Sequence, residues 1–191
     1  MQAQINSWSP ALLANQMKRG RMEYVGLASR ALVVGIFIAA MAKARSRKDL
    51  LSFVDSIREF RLVPPALVWP TAILVIVGEV AVVFTLILPG FGVAGFVMAA
   101  TMLAVFTVTA LLTTLRGRRV PCRCFGRSVT PIGPTHVWRN ATLLTVALIG
   151  AAVPSAGQFQ VAGVIVSLIA ASAGTIVMLF LADFVSLFST Q

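Results

Sequence analysis

Cys122 and Cys124 are the only cysteines in the chain, and a single residue, Arg123, separates them. Thiol–disulfide exchange needs one thiolate to attack and a second sulfur to resolve the mixed disulfide, and this pair supplies both. A disulfide closing so small a ring is held away from ideal torsions. Such a bond is readily reduced, which suits a shuttle better than a structural staple. Arg119, Arg123 and Arg127 surround the pair, with Arg118 beside them, and nearby guanidinium groups favour the thiolate. Two other readings stay open: an inert reduced pair, or half of a metal site. A zinc site usually takes four ligands, and the only histidine, His136, reads as an ordinary loop residue, so no metal is expected.

Glu79 is the second residue with chemical potential. It is the only carboxylate or base between Leu62 and Leu115. A carboxylate within an apolar span must be paired, protonated or turned toward a cavity. Arg30 is its expected partner. At about 1.5 Å per residue it lies roughly 9 Å into the first apolar run, while Glu79 lies roughly 14 Å from the same membrane face. An Arg30–Glu79 ion pair locking two adjacent helices is the structural reading; a proton or quinone site is the functional one. Direct coupling of Glu79 to the thiols is disfavoured, because the cysteine loop leaves at the opposite face, roughly 20 Å away. Thr101, Thr107, Thr109, Thr113 and Thr114 could add polar groups between them, but threonines in spans more often bond their own helix.

The elements that must position these groups are membrane helices. The chain has 191 residues, 58% hydrophobic and 12% charged, with a mean hydropathy of +0.91. Too little charge is present to cover a soluble domain of this size. The predicted fold is an all-α integral membrane bundle of about five spans, a four-helix core plus one, at about 24–42, 66–88, 91–115, 138–153 and 161–184. The polar residues 1–23 form an N-terminal interfacial segment, and 24–188 form the bundle, with the cysteine loop at 116–137. Leu50, Phe53, Val54, Ile57 and Phe60 recur at three- and four-residue spacing, which predicts an amphipathic interfacial helix between the first two spans. Trp69 and Trp138 fall at span starts, where interfacial aromatics belong. A cleaved signal peptide is not expected, since Arg30 interrupts the first apolar run.

The formal net charge is +10. It sits in short segments next to the apolar spans and forms no aromatic-interleaved stripe, so the expected partner is the lipid bilayer and not nucleic acid. Lys43, Arg45, Arg47, Lys48, Arg116, Arg118 and Arg119 gather on one side of the predicted topology. The positive-inside rule therefore places the cysteine loop at the cytoplasmic face of a bacterial plasma membrane. Lys18, Arg19 and Arg21 argue mildly the other way.

Two blocks carry a family resemblance. The first runs from Arg30 through Phe37 and continues in Ala40, Lys43, Asp49-Leu50, Phe53, Phe60, Leu62-Val63-Pro64 and Glu79. The second is Arg116-Gly117-Arg118-Arg119-Val120-Pro121-Cys122-Arg123-Cys124-Phe125-Gly126, followed by Val137-Trp138-Arg139-Asn140. On these the chain resembles the methylamine-utilisation protein MauE family, among DoxX-like membrane proteins. It departs at Arg123, where the family commonly has Gly. The resemblance implies a membrane accessory factor that helps to mature a disulfide-rich methylamine dehydrogenase, with a thioredoxin-like protein or the client enzyme as partner. Cys122 and Cys124 would then be the catalytic residues of a thiol–disulfide oxidoreductase. Membrane quinone is the one cofactor this chemistry brings in, though no residue in the sequence marks a site for it. The competing function is a non-catalytic membrane anchor or assembly subunit of a redox complex. A solute transporter is a weaker third, because no inverted repeat is visible.

Overall fold

The computed structural model describes residues 10–88, 90–117, 133–153, 165 and 169–177. Among these the regular structure is entirely helical: α1 Pro10–Ala40, α2 Arg47–Phe60, α3 Val68–Ile87, α4 Gly92–Leu115 and α5 Pro134–Ala152. Short 3-10 turns at Met41–Ala44 and Pro65–Leu67 flank α2. Residues 169–177 are also helical.

Helix α1 starts well ahead of its apolar stretch, Tyr24–Ala40. Hydropathy marks where lipid contact begins, and the helix extends beyond that stretch into polar sequence. The same holds for α5, which starts ahead of the expected Trp138. Gly133 is extended, Pro134 occupies the first turn, and the His136 N–H donates to the Gly133 carbonyl at 3.0 Å. Ser46 caps α2: its Oγ accepts from the Asp49 N–H at 3.1 Å. Arg61, at φ 50°, ends α2 in the left-handed conformation. The exposed Asp55–Arg58 pair at 2.8 Å adds little, because solvent screens it.

Four long helices close into a ring. Helix α1 packs on α3 and α5, and α4 packs on α3 and α5, while α1 and α4 face each other across the middle with slight contact. Neighbours run antiparallel: Gly95 lies against Leu86 and Gly78 against Met102 between α3 and α4, and Gly150 lies against Phe96 between α4 and α5. Gly90, at φ +84°, makes the turn between α3 and α4, where an L side chain would be strained. Residues 169–177 lie outside the ring, with Thr175 against Gly35 and Gly174 against Leu32 of α1.

The buried residues of α3 are Val68, Ala72, Glu79, Val82 and Leu86, a spacing that keeps one stripe turned inward. Val82 and Leu86 join Val33, Ile36, Phe37, Phe96, Leu103 and Leu143 in the main core. Val68 and Ala72 instead join Phe53, Val54 and Ile57 of α2 in a second cluster. So α2 folds back over the α3 N-terminus and closes one end of the bundle. Glu79 sits on the stripe between the two apolar clusters.

Two helical stretches, Pro65–Ile87 and Gly92–Leu115, are long and apolar enough to cross a membrane. Their most apolar windows are only 22% and 33% buried within the protein. Leu74, Phe84, Val105 and Leu115 are all exposed. In water such a surface would be a contiguous sticky patch, whereas in lipid it is the expected outer face.

Candidate functional site: an apolar cavity with one polar wall at the root of the cysteine loop

A cavity of about 160 Å³ lies between α2, α3, α4 and α5. Phe53, Ile57 and Phe60 of α2 form one wall, and Thr71 and Val75 of α3 form the next. Phe106 and Thr109 face them from α4, where Val105, 58% exposed, marks the mouth toward the outer surface. The remaining wall comes from α5 and is polar: His136, Arg139 and Asn140, each 5% exposed.

The local sequence explains this polar wall. Buried positions of α5 are His136, Arg139, Asn140, Leu143, Ala147 and Gly150. They recur at three- and four-residue steps, so the polar residues continue the core-facing stripe of their own helix. On α3, Glu79 follows Thr71 and Val75 on the same face, one turn farther from the α3 N-terminus, and it is 0% exposed. The Oδ1 atom of Asn140 is buried with no hydrogen-bond partner. An unsatisfied buried amide oxygen costs about 1–3 kcal/mol, so it marks a place where a ligand or water would be held.

The cavity lies at the base of the cysteine loop. The chain leaves α4 at Leu115 and re-enters helix at Pro134, one turn from the cavity wall at His136. Cys122, Cys124, Arg119, Arg123 and Arg127 lie outside the described residues. Arg30 is half-buried on α1 and Glu79 fully buried on α3, and these two helices pack together. Four of the α4 threonines turn back on their own helix: the hydroxyls of Thr101, Thr107, Thr113 and Thr114 donate to the carbonyls of Val97, Leu103, Thr109 and Ala110 at 2.6–2.9 Å. Their donor hydrogens are thereby committed. Trp69 and Trp138 are exposed near the first turns of α3 and α5. Among the described residues no group of three His, Cys, Asp or Glu side chains could hold a metal ion.

One sequence expectation is corrected. His136 is not a loop histidine; it lies in the first turn of α5, buried in the cavity wall. Arg139 and Asn140 were likewise not singled out as site residues. The signal was present, since starting α5 at Pro134 places all three on the face of Leu143 and Ala147.

Comparison with known proteins decides the family. The family model for methylamine utilisation protein MauE matches residues 22–153, a stretch that takes in α2 to α5 and the cysteine loop. The chain belongs to the MauE family. It is 32% identical over 124 residues to methylamine utilization protein MauE of Paracoccus denitrificans, covering 63% of this chain and 65% of that one. With the protein of the same name from Methylophilus methylotrophus it is 33% identical over 128 residues, 64% of this chain and 66% of the relative. The chain thus spans just under two thirds of the length of each relative. No solved structure matches it. The lipid-facing helices, together with membership of the MauE family, mark it as a membrane protein.

Proposed function

We propose that this MauE-family chain is a membrane accessory protein of methylamine utilisation, and that Cys122 and Cys124 exchange disulfides with a maturing client enzyme or a thioredoxin-like partner. The observation that carries this reading is the family match, whose range takes in the loop holding both cysteines. In such an exchange the thiolate of one cysteine attacks a partner disulfide, and the second cysteine resolves the mixed disulfide. Arg119, Arg123 and Arg127 would hold the thiolate form in the loop. The anchoring α2 and the long apolar helices would keep this chemistry at the membrane surface. Ring packing of α1, α3, α4 and α5 fits a four-helix core, with 169–177 outside it as part of a fifth span.

Two experiments test this. Cys122→Ser/Cys124→Ser should abolish maturation of the client enzyme in a complemented deletion strain while leaving the level of this protein unchanged. A single Cys124→Ser change should trap a mixed disulfide visible on a non-reducing gel. Full client activity in the double variant would instead establish a non-catalytic anchor. Sidedness is separate: the charge distribution supports a cytoplasmic loop, so a membrane-impermeant maleimide should label Cys122 and Cys124 only after cells are permeabilised. Efficient labelling of intact cells would invert the topology.

A further inference from the structure

We propose that the cavity between α2, α3, α4 and α5 binds the ring of a lipid-soluble quinone, and that this quinone accepts the electrons released when Cys122 and Cys124 join. The second half rests on the redox reading above; the first half stands on the cavity alone.

Size comes first. A cavity of roughly 150 Å³ takes up a benzene ring, and this one measures about 160 Å³. A single six-membered ring fits. The walls match such a ring. Phe53, Phe60 and Phe106 supply aromatic faces, which favour offset or edge-on stacking. Exposed Val105 at the mouth lies on a helix whose outer surface is apolar, so the opening meets the lipid in which a quinone is dissolved.

Polarity at the inner wall is the more specific feature. A quinone carbonyl accepts hydrogen bonds, and its quinol hydroxyl donates them. The side-chain amide of Asn140 can meet both needs, with its NH2 toward the carbonyl and its Oδ1 toward the hydroxyl. That Oδ1 is buried and lacks a partner in the protein. Arg139 and His136 lie beside it in the same wall. An acyl chain would leave Asn140 Oδ1 without a donor, and so would the oxidised ring, whereas a quinol hydroxyl would donate to it.

In the chain, α5 enters the cavity wall one turn after the segment that carries the thiols. Two S–H bonds break and one S–S bond forms between Cys122 and Cys124. The two electrons and two protons reduce both quinone carbonyls to the hydroxyls of a quinol. A small-ring disulfide is easily reduced and so needs a strong oxidant to form.

The test uses full-length protein in lipid nanodiscs, titrated with decylubiquinone while tryptophan fluorescence is followed. Wild type and Cys122→Ser/Cys124→Ser should show the same saturable quenching. Asn140→Leu should weaken it about tenfold, as expected for a lost hydrogen bond at a buried site. Val75→Phe, which fills the cavity from the opposite wall, should abolish it while helicity is retained. Non-saturable quenching that is equal in all four proteins, the signature of simple partition into lipid, overturns the site. Reduced wild type is then mixed anaerobically with one equivalent of decylubiquinone, and quinol formation and thiol loss should match. Thiols that couple with a soluble oxidant but not with decylubiquinone overturn the electron step and leave the redox reading intact. Thiols that couple with neither overturn the redox reading, and saturable quenching then reports on the cavity alone.

Discussion

Gly150→Ala is expected to destabilise the protein by about 3 kcal/mol, the upper end of the range for overpacking a tight core. A Cβ at position 150 would collide with Cε1 and Cζ of Phe96, a ring that is 1% exposed at the α4–α5 contact. The ring has little room to retreat, because it is buried in the same core cluster as Ala99, Leu103, Leu143 and Ala147. Between helices in lipid, close packing supplies much of the attraction, so losing it there is costly. Phe96→Leu removes the clashing atoms and should recover much of the loss in the double variant. Denaturation in mixed micelles, followed by far-UV circular dichroism, gives all four corners of the cycle. Equal midpoints for wild type and Gly150→Ala would show that the two helices separate without cost.

Glu79→Leu should be nearly as damaging, at about 3 kcal/mol or more, and Glu79→Gln milder. Glu79 is fully buried on the core-facing stripe of α3, between two apolar clusters. Removing one member of a buried charge pair leaves the other uncompensated, which costs about 3–5 kcal/mol. Two guanidinium groups compete for the role of counter-charge. Arg30 is the partner expected from the sequence and is half-buried. Arg139 is 5% exposed and lines the cavity whose α3 wall ends one turn from Glu79. The more deeply buried cation needs the carboxylate more, so a double-mutant cycle of Glu79→Leu with Arg139→Met should show the larger coupling. Stronger coupling with Arg30→Met would restore the original pairing. Coupling of less than about 0.5 kcal/mol with both would remove ion pairing as the reason for the carboxylate.

Much of this architecture is legible in the chain. The apolar runs that become α3 and α4, and the Leu50–Phe60 periodicity that becomes α2, need no tertiary information, because lipid and interface impose a simple pattern. Boundaries at α1 and α5 are less legible, since α1 reaches into polar sequence and Pro134 starts α5 within polar sequence, where hydropathy predicts no helix. The cavity is less legible still. Its polar wall looks like ordinary loop chemistry, because His136, Arg139 and Asn140 follow directly on a basic segment. Only the meeting of four helices shows that these side chains are enclosed. Glu79 is conspicuous in the sequence, whereas its surroundings depend on which helices become neighbours.

The uneven polarity of the ring has a consequence for biogenesis. Helices α3 and α4, joined by a tight turn, emerge from the ribosome as a hairpin oily enough to partition from the translocon unaided. Helix α5 brings an arginine, an asparagine and a histidine on its inner face and is a poor candidate for solitary insertion. Its most extensive contacts are with α4. The preceding hairpin therefore acts as an intramolecular chaperone, receiving a late helix that the bilayer by itself would reject.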